Sequence, residues 1–250
     1  MERRKFWHIV ILLIVFVICV SFPTGSIVHD PLTISIVQAS IIAAFIAFAI
    51  IYINITKIAH FFQGKTSIKN TILLAPLFAV AFCNLFFMTV INHNKFTFEW
   101  GDANFIMCVV VILLTAIAEE LLFRYIIQKN LQIRSKFIKI IIASSIFALC
   151  HILTIIARWD LTAPNTWNWF DLSMIVYTFF IGVCLGFLYE YTNNIVLPII
   201  FHFIFNFVND LWFYVQDWNW SYFINVLCFA AFGVGYMCLF YFVLTKRENR

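Results

Sequence analysis

Eight long apolar runs, separated by short polar stretches, make up most of the chain. A helix that crosses the hydrocarbon core of a membrane needs about 20 mostly apolar residues. The runs therefore predict spanning helices at about 6–22, 34–55, 70–92, 104–128, 137–157, 172–191, 195–214 and 221–245. Pro198 could break the seventh span, because proline removes a backbone donor. The predicted fold is all-α: one polytopic helical bundle of about eight transmembrane helices, with residues 1–250 as a single domain.

The basic residues are distributed unevenly between the two predicted sides of the membrane. Thirteen of the 16 Lys and Arg residues fall on the side of the termini, against Lys95 and Arg158 on the other side and Arg124 within a span. Because short cytoplasmic loops carry an excess of Lys and Arg, both termini are predicted to be cytoplasmic. Seven of the 8 tryptophans map to the opposite ends of the spans, as expected for an interfacial aromatic belt.

Composition supports a membrane protein and excludes several other classes. The chain is 64% hydrophobic and only 11% charged, whereas soluble domains are nearer half apolar and a quarter charged. Its 7 cysteines contain no C-x-x-C pair, so neither a disulfide framework nor a cysteine metal site is expected. The first span follows the basic start MERRK, but no A-x-A-like site follows it, so cleavage as a signal peptide is not expected. No nucleic-acid partner is expected.

Three groups of polar residues lie inside the predicted spans, where ionisable residues are rare and mark functional sites by default. Glu119 and Glu120 stand in the fourth span, and Glu120 can pair with Arg124 four residues later on the same face. Glu119 points about 100° away from Glu120 at 3.6 residues per turn. The fifth span contains His151, and the seventh contains His202 with Asn206 on the same face.

These groups fall at a common depth in the predicted bilayer. At about 1.5 Å per residue, Glu119 lies about 15 Å from the inner boundary near Lys129. By the same measure His151 lies about 18–20 Å above Lys139, and His202 about 10–12 Å above the start of its span. Glutamate, two histidines and an amide could hydrolyse a peptide bond with activated water. The structural alternative is an ion pair and hydrogen-bonded histidines that only hold helices together.

At these residues the sequence resembles the CAAX protease and bacteriocin-processing family of intramembrane proteases, also called the Abi family. That family carries E-E-x-x-x-R, F-x-x-x-H and H-x-x-x-N in this order. The matching segments here are Glu119 to Arg124, Phe147 to His151 and His202 to Asn206. The resemblance covers about residues 102–214, and the first 100 residues match no family motif.

The resemblance implies a role for each matching residue. Glu119 would be the general base on water, acting with His151, while Glu120 would support the site through Arg124, with Phe147 beside it. His202 and Asn206 would bind a metal or stabilise the oxyanion. Whether a metal takes part stays open, because Glu119, His151 and His202 would suit zinc and a glutamate-bound water would serve without it.

Two positions depart from the family pattern. The family often has glycine after the motif arginine, where this chain has Tyr125, and glycine in the turn before the last motif, where this chain has Asn193. Neither change removes a catalytic group, although Tyr125 could narrow access to the site.

The leading hypothesis is an intramembrane endopeptidase, glutamate-dependent or metal-assisted, in a bacterial cytoplasmic membrane. Its site is expected to face the cytoplasm, with a polar cavity open toward the inner leaflet. Its expected substrate is a small peptide precursor or membrane-associated protein, in bacteriocin or signalling-peptide processing or in self-immunity. A non-proteolytic scaffold that regulates a membrane-protein partner is the alternative. A small proton-relaying transporter is a third reading, disfavoured because no paired repeat of spans is visible.

Overall fold

The computed structural model describes residues 3–22, 28, 30–56, 103–157 and 169–210, with single positions at 231, 235 and 238. Within them the elements are α1 (Arg3–Val20), α2 (Pro31–Thr56), α3 (Ala103–Glu120), a π-helical segment (Leu121–Gln128), α4 (Lys136–Ala157), α5 (Trp169–Thr192) and α6 (Val196–Asp210). The predicted all-α class is thus confirmed for the described part of the chain. The third and eighth predicted spans lie outside the described residues, so the count of eight and the sidedness stay predictions.

Three of these helices are long and apolar enough to cross a membrane: Pro31–Thr56, Phe105–Gln128 and Met174–Thr192. Two shorter apolar helical stretches are Phe6–Val20 and Val196–Phe207. Helices suit this environment because each backbone N–H and C=O finds its partner within its own segment. The chain is accordingly a multi-pass membrane protein.

Helices α1 and α2 run antiparallel, and side-chain contacts fix their register. In α1 and α2, His8 is hydrogen-bonded to the Tyr52 hydroxyl, while Phe16 packs against Phe45 with ring centroids 5.3 Å apart. Phe16 also packs against Phe123 at 5.7 Å. These rings place α1 against the π-helical segment, so the first helix is part of the same core.

The short turn between α5 and α6 positions the last motif. Asn193 has φ of 49°, the left-handed conformation that glycine and asparagine adopt most readily at a helix C-terminus. This explains why asparagine can stand where the family often has glycine. Asn194 Oδ1 then accepts a hydrogen bond from the Val196 N–H at 2.9 Å. Because α6 begins at Val196, Pro198 lies in its first turn, where the missing backbone N–H costs little. The predicted break of the seventh span near Pro198 is therefore absent.

The hairpin between the π-helical segment and α4, residues 129–135, marks one end of the bundle and is called the basic hairpin here. It contains Lys129 and Arg134, and α4 begins directly after it at Lys136. The C-terminal end of α5 reaches the same end, because Gln128 Nε2 donates to the Gly186 carbonyl at 3.0 Å and approaches Glu190 Oε2 at 3.3 Å. Positions along α3, α4 and α5 can therefore be compared by their distance from the basic hairpin.

Candidate active site

Glu120 is fully buried and bridges two other motif residues. Its Oε2 accepts a hydrogen bond from Arg124 Nε at 3.1 Å, one helical turn along the chain. Its Oε1 lies 2.9 Å from Nδ1 of His202. The pair predicted between Glu120 and Arg124 is present, and the contact to His202 extends it to a third residue that sequence spacing did not connect.

Glu119 contacts the other nitrogen of the same imidazole. Its Oε2 lies 3.3 Å from His202 Nε2, and both side chains are almost completely buried. Two adjacent glutamates reach opposite sides of one ring because successive helical residues point about 100° apart. His202 Nδ1 donates to the Glu120 carboxylate, which sets the orientation of the ring and directs Nε2 toward Glu119. The sequence had assigned no partner to Glu119.

His151 is held by its own helix. Its Nδ1 lies 3.0 Å from the carbonyl oxygen of Phe147, four residues earlier. A carbonyl can only accept, so Nδ1 carries the proton in the neutral ring and Nε2 keeps its lone pair. His151 therefore presents a basic nitrogen away from the α4 backbone.

The Phe147 ring contacts both histidines and Arg124. It meets His151 edge to face at 4.8 Å and His202 at 5.9 Å between ring centroids. The Arg124 guanidinium carbon lies 5.2 Å from the centre of the same ring, within cation–π range. Phe147 thus packs against three of the polar residues and restricts their movement, which fits the supporting role implied by the family resemblance.

One cavity of about 230 Å³ brings most of the predicted residues together. Glu119, His151, His202 and Asn206 all line it, whereas Glu120 and Arg124 do not. The remaining lining residues come from five helices and are mostly apolar: Phe16, Val17, Val20, Ser21, Thr115, Phe147, Cys150, Met174, Tyr177, Thr178, Ile181 and Phe205. The two glutamates, adjacent in sequence, therefore face different surroundings.

The cavity extends from Glu119 away from the basic hairpin. On α3 it reaches Thr115, which is farther from the hairpin than Glu119, and on α5 it reaches Met174, far from Gly186. No residue of Leu121–Gln128 lines it, and all eight are buried. If the basic hairpin is cytoplasmic, as predicted, the cavity extends toward the opposite leaflet. In that orientation the cavity would not open toward the inner leaflet as expected, because the buried π-helical segment fills the space between Glu119 and the hairpin.

Four cavity residues come from α1 and the residue after it, and motif analysis missed them. Phe16, Val17, Val20 and Ser21 line the same cavity as Thr115 and Glu119. The apolar stretch VFVICVS carries no polar pattern that distinguishes a cavity wall from a lipid-facing surface. Only the packing of α1 against the core places these residues beside the site.

The donor set partly fits a zinc ion. Tetrahedral zinc with bonds of about 2.0–2.2 Å places neighbouring ligand atoms about 3.3–3.6 Å apart. Glu119 Oε2 and His202 Nε2, 3.3 Å apart, match that spacing. Across the described residues, however, no three His, Cys, Asp or Glu side chains stand together at metal-binding spacing, so His151 does not complete a set. In the described part of the chain, Glu119 and His202 therefore offer a metal two ligands and not a complete site.

Comparison with known proteins gives a family match over part of the chain. Residues 101–208 match the family model described as "Rce1-like: Type II CAAX prenyl endopeptidase Rce1-like". No curated protein and no solved structure matches the chain. The matched segment runs from the start of α3 almost to the end of α6 and contains all three motifs.

The match confirms the resemblance that the three motifs predicted. Over residues 101–208 the chain is therefore similar to the Rce1-like CAAX endopeptidases, a family of intramembrane proteases. Helices α1 and α2 lie outside the matched residues.

Proposed function

We propose that the protein is an intramembrane endopeptidase of a bacterial cytoplasmic membrane that cleaves a small peptide precursor or a membrane-associated substrate. The observation that supports this most directly is the shared cavity. Glu119, His151, His202 and Asn206, from three helices, line one space of about 230 Å³. A scaffold that needed these groups only to join helices would have no reason to keep a cavity between them.

In the proposed reaction, Glu119 removes a proton from a water molecule in the cavity as that water attacks the scissile carbonyl. His151 assists, because its Nε2 is left as the free acceptor of the ring by the Phe147 contact. The proton passes to the leaving amine when the carbon–nitrogen bond breaks. General acid–base help of this kind typically contributes about 10²–10⁴-fold in rate.

The oxyanion of the tetrahedral intermediate would lie near Asn206 and His202. The amide of Asn206 can donate to the developing negative charge, and a low-dielectric site makes such a donor effective. Glu120 and Arg124 would act through His202, since Glu120 holds its Nδ1 at 2.9 Å and Arg124 holds Glu120 at 3.1 Å. Glu120 and Arg124 would thus position the His202 imidazole without touching the substrate.

The cavity also bears on the substrate class. Ligand pockets typically enclose about 300–1,000 Å³, so about 230 Å³ suits one or two side chains of a peptide chain. Its lining is apolar apart from the site residues and a few hydroxyl groups, which suits an uncharged segment. A bacteriocin or signalling-peptide precursor, or an incoming peptide destroyed in self-immunity, has this chemistry.

The test compares peptides released by cells that express the wild-type protein or Glu119→Ala, with protein abundance measured in both. Mass spectrometry should detect peptides that the wild type produces and that Glu119→Ala, at normal abundance, does not. Leu113→Ala serves as the control, because Leu113 is exposed on the same helix.

The scaffold alternative makes the opposite prediction. If Glu119→Ala and Leu113→Ala both leave the released peptides and the cellular phenotype unchanged from wild type, the proteolytic proposal fails. A phenotype that depends on the protein but not on Glu119 would then favour regulation of a membrane-protein partner.

A further inference from the structure

The first helix presents three different faces. Ile11, Ile14 and Ile18 are exposed, with Ile18 at 60%, as expected for a lipid-facing stripe. A second face is buried in the core through Leu12 and Phe16, which are 0% and 4% exposed. The third face has Val17, Val20 and Ser21, spaced three and four residues apart and therefore aligned along one side of the helix.

This third face forms part of the wall of the cavity that contains the site residues. Val17, Val20 and Ser21 are only partly buried, and they share the cavity with Glu119, His151 and His202. The wall is fixed rather than loosely placed, because Phe16 is packed between Phe45 and Phe123. A substrate segment that reaches Glu119 must therefore fit against α1.

We propose that α1 is a specificity-determining element: Val17, Val20 and Ser21 contact the substrate side chain next to the scissile bond and limit its size. This inference rests on the proposed proteolytic function. Because α1 lies outside the family match at 101–208, it can change without altering the catalytic motifs. The chemistry of the wall, two small aliphatic side chains and one hydroxyl, selects an uncharged residue of limited volume.

The test uses purified protein in liposomes with synthetic apolar peptides about 20 residues long, the length that spans a bilayer. One position near the cleavage site is Ala, Leu or Phe, and kcat/KM is measured for each peptide by mass spectrometry. Val20→Ala enlarges the cavity and Ser21→Leu reduces it. Ile18→Ala is the matched control on the lipid-facing side of the same helix.

The ratio of kcat/KM for the Phe peptide to that for the Ala peptide should rise about 10-fold or more in Val20→Ala, and fall in Ser21→Leu. Ile18→Ala should keep the wild-type ratio. A ratio is insensitive to the amount of folded protein, so partial misfolding of one variant does not imitate the effect.

Two failures are distinguishable. If the wild type cleaves the peptides and all three variants keep its ratio, α1 does not select substrate and only this inference is overturned. If the wild type and Glu119→Gln are equally without cleavage on every peptide, the proposed protease function and this inference are overturned together.

Discussion

The two sides of the His202 imidazole differ in almost every physical respect. Toward the basic hairpin, Nδ1 meets Glu120, which is held by Arg124, and both of these side chains have no exposed surface. Away from the hairpin, Nε2 meets Glu119 at the edge of a cavity that also contains His151 and Asn206. Two adjacent residues of one helix thus have different surroundings: Glu120 lies in a packed ion pair, and Glu119 lines a cavity.

The different surroundings of Glu119 and Glu120 account for the presence of two glutamates in one motif. A buried charge is tolerated only when it is paired, and Glu120 has two partners that satisfy it. A general base must keep access to water and substrate, and Glu119 lines the cavity. In the proposed mechanism, Glu120 positions the His202 ring and Glu119 reacts with the water and substrate that enter the cavity.

Removal of either member of the packed pair should have the largest effect. Glu120→Gln or Arg124→Ala leaves one buried charge without its partner, which should cost about 3–5 kcal/mol of stability. Glu119→Gln should leave abundance and thermal unfolding in detergent nearly unchanged. Equal unfolding temperatures for all three variants would contradict the proposal that Glu120, unlike Glu119, stabilises the fold.

Loss of the Asn206 amide, which lines the cavity, should lower the catalytic rate without lowering stability. Asn206→Ala should lower kcat about 100–1,000-fold and leave a measurable remainder, the usual consequence of losing one oxyanion donor. Peptide cleavage by the purified variant checks this, with its unfolding temperature as the control for folding. Wild-type kcat in Asn206→Ala would exclude a role for this amide in stabilising the oxyanion.

Two glycines of α5 pack closely against neighbouring helices, Gly182 beside Phe147 and Gly186 beside Gln128. A Cβ on Gly186 would lie 2.8 Å from Ile140 Cγ2 and 3.0 Å from Gln128 Oε1, and a Cβ on Gly182 would lie 3.0 Å from Phe147 Cδ1. Overpacking of this kind should destabilise each alanine variant by about 1–3 kcal/mol.

The glycine variants should then differ in activity. Only Gly182→Ala should also lower kcat per folded molecule, because Phe147 packs against both site histidines. Similar losses of kcat in Gly182→Ala and Gly186→Ala would mean that disturbed packing near the basic hairpin affects catalysis as much as disturbed packing at Phe147.

Chelation should have the smallest effect. Because no three-residue ligand set is assembled among the described residues, treatment with a zinc chelator should leave peptide cleavage within about twofold of its untreated rate. Loss of activity on chelation, restored by added zinc, would show that Glu119 and His202 act as metal ligands with a third group.

Sequence patterning predicted the helices well where apolar length decides them. The spans expected at 34–55, 104–128 and 137–157 agree within about three residues with Pro31–Thr56, Ala103–Gln128 and Lys136–Ala157. Agreement is good because lipid requires each backbone group to be satisfied within its own segment, so apolar length alone sets the bounds. The three motifs were also visible, because buried charges and histidines stand out in an apolar chain.

The residue pattern alone indicated the similarity to an intramembrane protease family, the helical segments of the described part of the chain, and four polar residues that line the cavity. Tertiary structure decided which nitrogen of His202 faces which glutamate, on which side of the ring the cavity opens, and that α1 forms part of its wall. Chemical types and helical periodicity are local properties of a chain. The environment of a carboxylate depends instead on which distant helices pack beside it, and an apolar helix such as α1 gives no local sign of which of its faces will meet a substrate.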